Sequence, residues 1–488
     1  MRTEAITLNK LEQTFQQNGD VKFQQFTFQQ ETVCIITCEG MVDEALLYEL
    51  ILPEVKKALE DRTAEHRSAE DIEKAQRELE ASLALPQLKE IKKVEDCERL
   101  LFTGQCLLYF INYRMLLVAD IAKKPNRKPE DTNLEAAVKG PRDNFIEDIS
   151  INIALIRKRL PTNSLIVEKM ELGKRSKTDV ALLYFEDIVD KEILKEVKMK
   201  LGKAKGDIIL SGEVLLEDVS KDFFLFPRTE YTGRPDFVTQ ALVRGRFALL
   251  VDGTAYATLF PTNFFLLLKS AEDNEYPVVY SSFQRILRII GLLLALLLPS
   301  FWLALTTFHQ DQIPVQLLAT VVQANTGLPL PSALEMLIMI FFFELFREAG
   351  MRLPTVIGGT ISVVGGLIIG DAAIRAGITS PAMVVVIAIS TIAGFTLVNQ
   401  SLVGSVTLLR ILFVILTSFV GLFGFFACIY FTIAYLSHLK VFGVPYLNVA
   451  ADMSFSSILK TMLRLKGDGY EKRPKMLKPK DDTRREKK

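Results

Sequence analysis

Six charged residues in the most apolar third of this chain are the first candidates for chemistry. Glu344, Arg347, Glu348 and Arg352 stand three and four residues apart. On a helix, Glu344 can therefore pair with Arg347, and Glu348 with Arg352. Asp371 and Arg375 are also four apart. Between the two groups Gly358, Ser362, Gly366 and Gly370 recur every fourth residue, which puts them on one helical stripe. Ionisable groups in or beside membrane spans are costly, face protein or water, and often mark ion or substrate paths. Mutual ion pairing accounts for all six charges; a ring of them from several subunits at a pore mouth is the sharper reading. The stripe also has two readings. Small residues let helix backbones pack closely. Alternatively they line a pore, with hydroxyls from Thr360 or Ser362 and a hydrophobic gate from Val363, Val364, Leu367 or Ile368. Spacing alone favours packing.

Other chemistry has little support. His66, His309 and His438 have no helical metal-ligand spacing, and no GxSxG, Walker A or GxGxxG follows a strand. Gly358-Gly359 and Gly365-Gly366 lie inside an apolar run, where they cannot cradle a phosphate from water. Cys34, Cys38, Cys97, Cys106 and Cys428 are an odd count without CxxC spacing, so buried thiols are expected rather than disulfides or a zinc site. No enzyme, cofactor, metal or nucleic-acid partner is expected.

The elements that must hold these residues follow from charge and pattern. The 488 residues carry 58 basic and 58 acidic side chains. Residues 289–459 hold only five Lys/Arg and six Asp/Glu, and the tail from Lys460 holds twelve against five. An acidic soluble half, an apolar block and a basic tail result. No apolar leader opens the chain, so the N-terminal half is expected on the cytoplasmic side. It reads as two small α/β subdomains. Strand-like runs at 21–28, 32–38, 105–111 and 114–119 belong to the first, with a charged helix at 60–80 expected to protrude into solvent. The second has a helix at 146–160, strands at 165–172 and 180–185, helices near 190–205 and 235–244, and a hairpin through Asp252-Gly253. That dipeptide suits a type I′ turn, whose two central residues need positive φ; the turn explains Asp252 better than catalysis does. The expected organisation is 1–122 first α/β subdomain, 123–139 linker, 140–280 second α/β subdomain, 281–445 α-helical polytopic membrane domain, and 446–488 basic cytoplasmic tail.

Crossing a hydrocarbon core of about 30 Å takes about 20 apolar residues. Segments 289–305, 353–370, 381–398 and 411–437 meet this loosely, while 312–334 and 336–346 are ambiguous. Arg285 and Arg288 precede the first span and 300–334 has no Lys or Arg, which fits a cytoplasmic start. The basic tail favours an even count: four crossings with 336–346 re-entrant or interfacial, or six if both ambiguous stretches cross.

Gly140-Pro-Arg-Asp-Asn-Phe-Ile-Glu-Asp, Ile153-Ala-Leu-Ile-Arg-Lys-Arg-Leu, Phe226-Pro-Arg-Thr-Glu-Tyr-Thr-Gly-Arg-Pro-Asp and Phe343-Glu-Leu-Phe-Arg-Glu-Ala-Gly-Met-Arg-Leu-Pro resemble the A subunits of spore germinant receptors, the GerA-type spore germination proteins. Val251-Asp-Gly-Thr and Gly370-Asp-Ala-Ala-Ile-Arg-Ala-Gly fit the same family, from about residue 20 to about 465. The family more often has Glu-Arg-Pro-Asp where this chain has Thr232-Gly233-Arg234-Pro235. The resemblance implies a multi-pass protein of the spore inner membrane, with its N-terminal domain and tail on the core side. It implies a homo-oligomer, pentameric in this family, working with a transporter-like B subunit, a lipoprotein C subunit and the surrounding lipids. The function implied is a nutrient-gated channel releasing monovalent cations, and it tips the stripe towards a pore. A non-conducting scaffold that docks the B and C subunits stays open, as does a paralogous amplifying channel without nutrient sensing.

Overall fold

Val21–Phe28 (β1) and Glu31–Cys38 (β2) pair antiparallel in the computed structural model, burying Val33, Cys34, Ile35, Ile36 and Cys38. The structure describes residues 6–29, 31–60, 69–125, 141, 143–204, 206–219, 225–352, 370–447, 463–464, 473, 477, 479–481 and 483. It falls into two units: 1–222 with 229–261 and 470–488, and 223–228 with 262–469.

The first unit contains the same antiparallel sheet twice. Lys89–Glu90 (β3), Gln105–Phe110 (β4) and Met115–Asp120 (β5) complete one sheet in the order β1-β2-β4-β5-β3. Leu165–Leu172 (β6), Thr178–Phe185 (β7), Glu230–Thr232 (β8), Phe247–Val251 (β9) and Ala257–Phe260 (β10) form the other in the order β6-β7-β9-β10-β8. In each copy two helices follow the first hairpin and one precedes the second; in the second copy these are Lys191–Leu201, Gly212–Val219 and Pro235–Val243. The expected α/β character of the N-terminal half is thus found, as a duplication that the sequence does not advertise.

Two local expectations change. In the charged stretch at 60–80, of which 61–68 lie outside the described residues, the Ala69–Ser82 helix does not stand free: its Ala75 and Leu79 are buried in the first core. The Asp252-Gly253 connection is not a type I′ turn, since only Gly253 takes positive φ, at 81°. Asp252 Oδ1 instead accepts the Ile149 amide at 3.2 Å, helping Asp148 cap the Ile149–Arg157 helix.

That helix joins the two copies. Arg157 is fully buried and donates to both Asp20 carboxylate oxygens at 2.7 and 2.9 Å, to Asn18 Oδ1 at 2.7 Å and to the Thr162 carbonyl at 2.9 Å. Its guanidinium also lies 4.1 Å from the centroid of the Phe102 ring. Gly19 donates its amide to the Val167 carbonyl at 2.8 Å, and Lys169 reaches Glu39 at 2.9 Å.

The second unit holds the helices Val278–Thr307, Val315–Asn325, Ser332–Arg352, Gly370–Arg375, Pro381–Gly394 and Gln400–His438. Among the described residues, Val278–Thr307 and Gln400–His438 are long and apolar enough to cross a membrane. The stretch 336–346 is not a short isolated segment but the middle of a 21-residue helix. The last helix, at 39 residues, would reach about 58 Å if straight, roughly twice a hydrocarbon core. It breaks at Gly421 (φ 66°, ψ −142°). The Phe413 and Phe425 ring centroids lie 6.5 Å apart, although twelve residues of straight helix would separate them by about 18 Å. Segments 400–420 and 422–438 are therefore the two arms of a helical hairpin. A Cβ on Gly421 would come within 3.0 Å of Phe308, so the tip lies beside the end of Val278–Thr307. The free ends of the arms pack towards Leu267, Leu268 and Leu292 through Leu402, Leu436 and Leu439.

Two measurements follow for the first unit. Replacing Arg157 with Leu strands the Asp20 carboxylate, and urea unfolding should show a loss of about 3–5 kcal/mol. Burial raises the Cys34 thiol pKa to about 11 and that of Cys97 to about 12. Both should resist iodoacetamide at pH 8 in the native chain and react once it is unfolded.

Candidate functional site

The Ser332–Arg352 helix changes character along its length. Its first half is apolar and buried: Met336, Met339 and Ile340 pack with Leu303, Ala373, Met383, Ile387 and Val414. From Glu344 its contacts become polar. Glu344 Oε2 is 2.6 Å from Arg347 Nη2, and Glu344 Oε1 accepts from Arg410 Nη2 at 2.6 Å and from Thr407 Oγ1 at 3.1 Å. Arg347 Nη1 donates to Thr407 Oγ1 at 3.2 Å, and Arg410 Nη1 to Ser390 Oγ at 3.3 Å. Ser390 in turn donates to the Ala295 carbonyl at 2.8 Å. Through Arg410 and Ser390 the network thus reaches four helical segments.

The charge in this network is unbalanced, with two guanidiniums facing one carboxylate. Arg410 is 3% exposed, and its Nε and that of Arg347 are buried without an acceptor. Arg410 is eleven residues from the Gly421 tip, or about 16 Å along the arm, a length about half the thickness of a hydrocarbon core.

A second buried carboxylate sits one turn into the same helix. Glu335 Oε1 accepts from Thr379 Oγ1 at 2.8 Å, Ser380 N at 2.7 Å and Ser380 Oγ at 3.2 Å. It fixes the start of the Pro381–Gly394 helix, where unpaired amides favour negative charge.

The sequence-derived charges separate into two kinds. All three expected pairs form: Glu344–Arg347 at 2.6 Å, Glu348–Arg352 at 2.6 Å and Asp371–Arg375 at 2.7 Å. The first is partly buried; the other two are exposed, with Arg352 and Arg375 side chains 78% and 80% accessible. Gly370 is buried, and a Cβ there would meet Val384 Cγ1 at 3.6 Å, an ordinary contact. Close packing does not demand glycine at that position. Gly358, Ser362, Val363, Val364, Gly366, Leu367 and Ile368 lie outside the described residues. Arg410, Thr407, Ser390 and Glu335 were not singled out by the spacing argument. A lone arginine within a long apolar helix was the available signal for the first. Among the described residues, no three His, Cys, Asp or Glu gather where a metal could be held.

A family model described as "Bacillus/Clostridium GerA spore germination protein" matches residues 9–476. The chain belongs to the GerA family. It is 41% identical over 454 residues to spore germination protein XA of Bacillus anthracis, covering 93% of this chain and 91% of that protein. It is 32% identical over 433 residues to the membrane protein YfkQ of Bacillus subtilis (strain 168), covering 88% and 82%. The crystal structure of the N-terminal domain of the A subunit of the Bacillus megaterium spore germinant receptor GerK3 aligns with 53% of this chain and 94% of that one, at 25% identity and a TM-score of 0.39. The GerA family is one of germinant-receptor A subunits, a non-enzymatic role.

Two of the GerA motifs gain a physical role. Ile153-Ala-Leu-Ile-Arg carries the buried Arg157 that joins the two sheets. Phe226-Pro-Arg-Thr-Glu carries Glu230, which pairs with the buried Arg246 at 2.7 Å.

Glu344→Gln should remove the one carboxylate that, among the described residues, faces both guanidiniums of the network. We expect thermal unfolding of the purified protein to report a loss of about 3–5 kcal/mol. Glu348→Gln, in an exposed pair, should cost no more than about 1 kcal/mol.

Proposed function

We propose that this chain is the A subunit of a spore germinant receptor. In this reading it assembles with copies of itself, as a pentamer, into a nutrient-gated channel that releases monovalent cations and so starts germination. The observation that carries the reading is the network around Arg410, charged and buried at mid-depth of an apolar helix bundle. Lipid does not tolerate such groups, so they persist where they are paired or border a water-filled path. The exposed pairs Glu348–Arg352 and Asp371–Arg375 bracket the small-residue stripe. They are free to meet water or a neighbouring copy, as charges at a pore mouth must.

The partners in this reading are a transporter-like B subunit, a lipoprotein C subunit and the lipids of the spore inner membrane. The N-terminal half and the tail face the spore core. The hairpin adds a crossing to the four expected from sequence, and Ser332–Arg352 adds another if it spans. Six crossings keep both ends of the chain on one side. Single cysteines at Gln310 and Ser418 should then label from one face of the membrane, and those at Gln400 and His438 from the other. Opposite-face labelling of Gln310 and Ser418 would refute this topology.

A second reading draws support from the pairing itself. Each of the six sequence-derived charges has an opposite partner within its own helix, as a non-conducting scaffold would require. Ion flux separates the two. In potassium-loaded vesicles, Val364→Ala or Ile368→Ser should leak more than the wild-type protein if the stripe lines a gate. Assembled but silent variants would favour the scaffold.

A further inference from the structure

The half of the Ser332–Arg352 helix that leads into the stripe is held differently from the half that precedes it. Up to Ile340 the helix is anchored by a buried apolar cluster, together with the buried Glu335 that accepts from Thr379 and Ser380. Phe342 and Phe343 are only partly buried at the edge of that cluster, while Phe341 and Leu345 are 59% and 49% exposed. Beyond them, among the described residues, the hydrogen bonds and ion pairs that reach the 400–420 arm are those of Glu344 with Arg410 and Thr407 and of Arg347 with Thr407.

We propose that the Glu344–Arg347–Arg410 network is a releasable polar latch. It holds the C-terminal half of this helix against the 400–420 arm. Arg410 is its positioning residue. Three physical features fit a latch better than a permanent staple. Charged and polar groups can trade partners when water or another polar group reaches them, whereas a buried apolar anchor has none to trade. The network holds one positive charge in excess, and two buried Nε–H groups lack acceptors, so the closed arrangement is not its electrostatic optimum. Ser390 connects Arg410 to the Val278–Thr307 helix through the Ala295 carbonyl, so a shift of the arm reaches the first long helix directly. Each added negative group near Arg347 or Arg410, from a neighbouring chain or a bound anion, biases the equilibrium between closed and released.

The gating role rests on the channel reading; the latch itself does not, and the test separates them. Hydrogen–deuterium exchange is measured on the full-length protein in lipid nanodiscs, and potassium flux on the same preparation in vesicles, with Ile368→Ser as the conduction control. Arg410→Gln should speed exchange of amides 341–352 by about tenfold or more while 381–394 stays protected. The exchanged pair E344R/R410E should restore protection, because it keeps one carboxylate between two guanidiniums. Arg347→Gln, on a less buried side chain, guards against a misfolded Arg410 variant and should show a smaller rise over the same amides. Unchanged exchange in both Arg410→Gln and Arg347→Gln overturns the latch. Faster exchange with wild-type flux, while Ile368→Ser conducts, overturns its role in gating. If Ile368→Ser is silent too, the channel reading fails and exchange alone decides whether the latch exists.

Discussion

A single carboxylate between two guanidiniums, in the middle of an apolar bundle, is the constraint on which the membrane unit depends. Glu344 has a charge that lipid would reject, and Arg410 has one that lipid would reject more strongly. Each is tolerable because of the other, and the geometry that satisfies them fixes three helical segments at once. The apolar contacts around them are plentiful but unspecific about register, since a leucine face slides at small cost. The polar contacts have one geometry.

The sheet-containing unit uses the same physics with different residues. Arg157 is buried between two copies of one sheet architecture and satisfied by Asp20, Asn18 and a carbonyl. A bidentate arginine fork sets both distance and orientation, which a lysine would not. Its burial does not make the pair strongly stabilising in itself, because desolvation offsets much of the attraction. What it supplies is a single docking of one copy on the other. Arg246 with Glu230 repeats the device inside the second copy, anchored further by the Pro261 carbonyl.

The hairpin at Gly421 shows a different limit of pattern reading. Hydropathy runs unbroken through 400–438, so a window of apolar residues registers one long span. What breaks it is a positive-φ backbone conformation that glycine adopts freely, packed so closely that a Cβ there would sit 3.0 Å from Phe308. The sequence contains several glycines in similar company, at Gly404 and Gly424 among others, and nothing local distinguishes the one that turns the chain. The arms pair because Phe413 meets Phe425 across the turn, a contact made by tertiary packing.

By itself the sequence determined the class of each half, the elements with strong periodicity, and the three helical ion pairs. Strand alternation, helical spacing and charge distribution are local properties, and local properties survive in one dimension. It also carried the family, because long motifs such as Phe343 to Pro354 are specific as strings. Only the tertiary structure decided that the N-terminal half is a duplicated sheet, that the 69–82 helix packs into a core, and that the last apolar run is folded back on itself. Only it could bring Arg410 and Thr407 to Glu344, and Ser390 to Arg410, because the first two lie 66 and 63 positions from Glu344 and Ser390 lies 20 from Arg410, and no periodicity links them. Spacing within a helix fixes which neighbours a charge can reach. Which distant partner it meets depends on how whole helices pack, and that is a property of the folded chain.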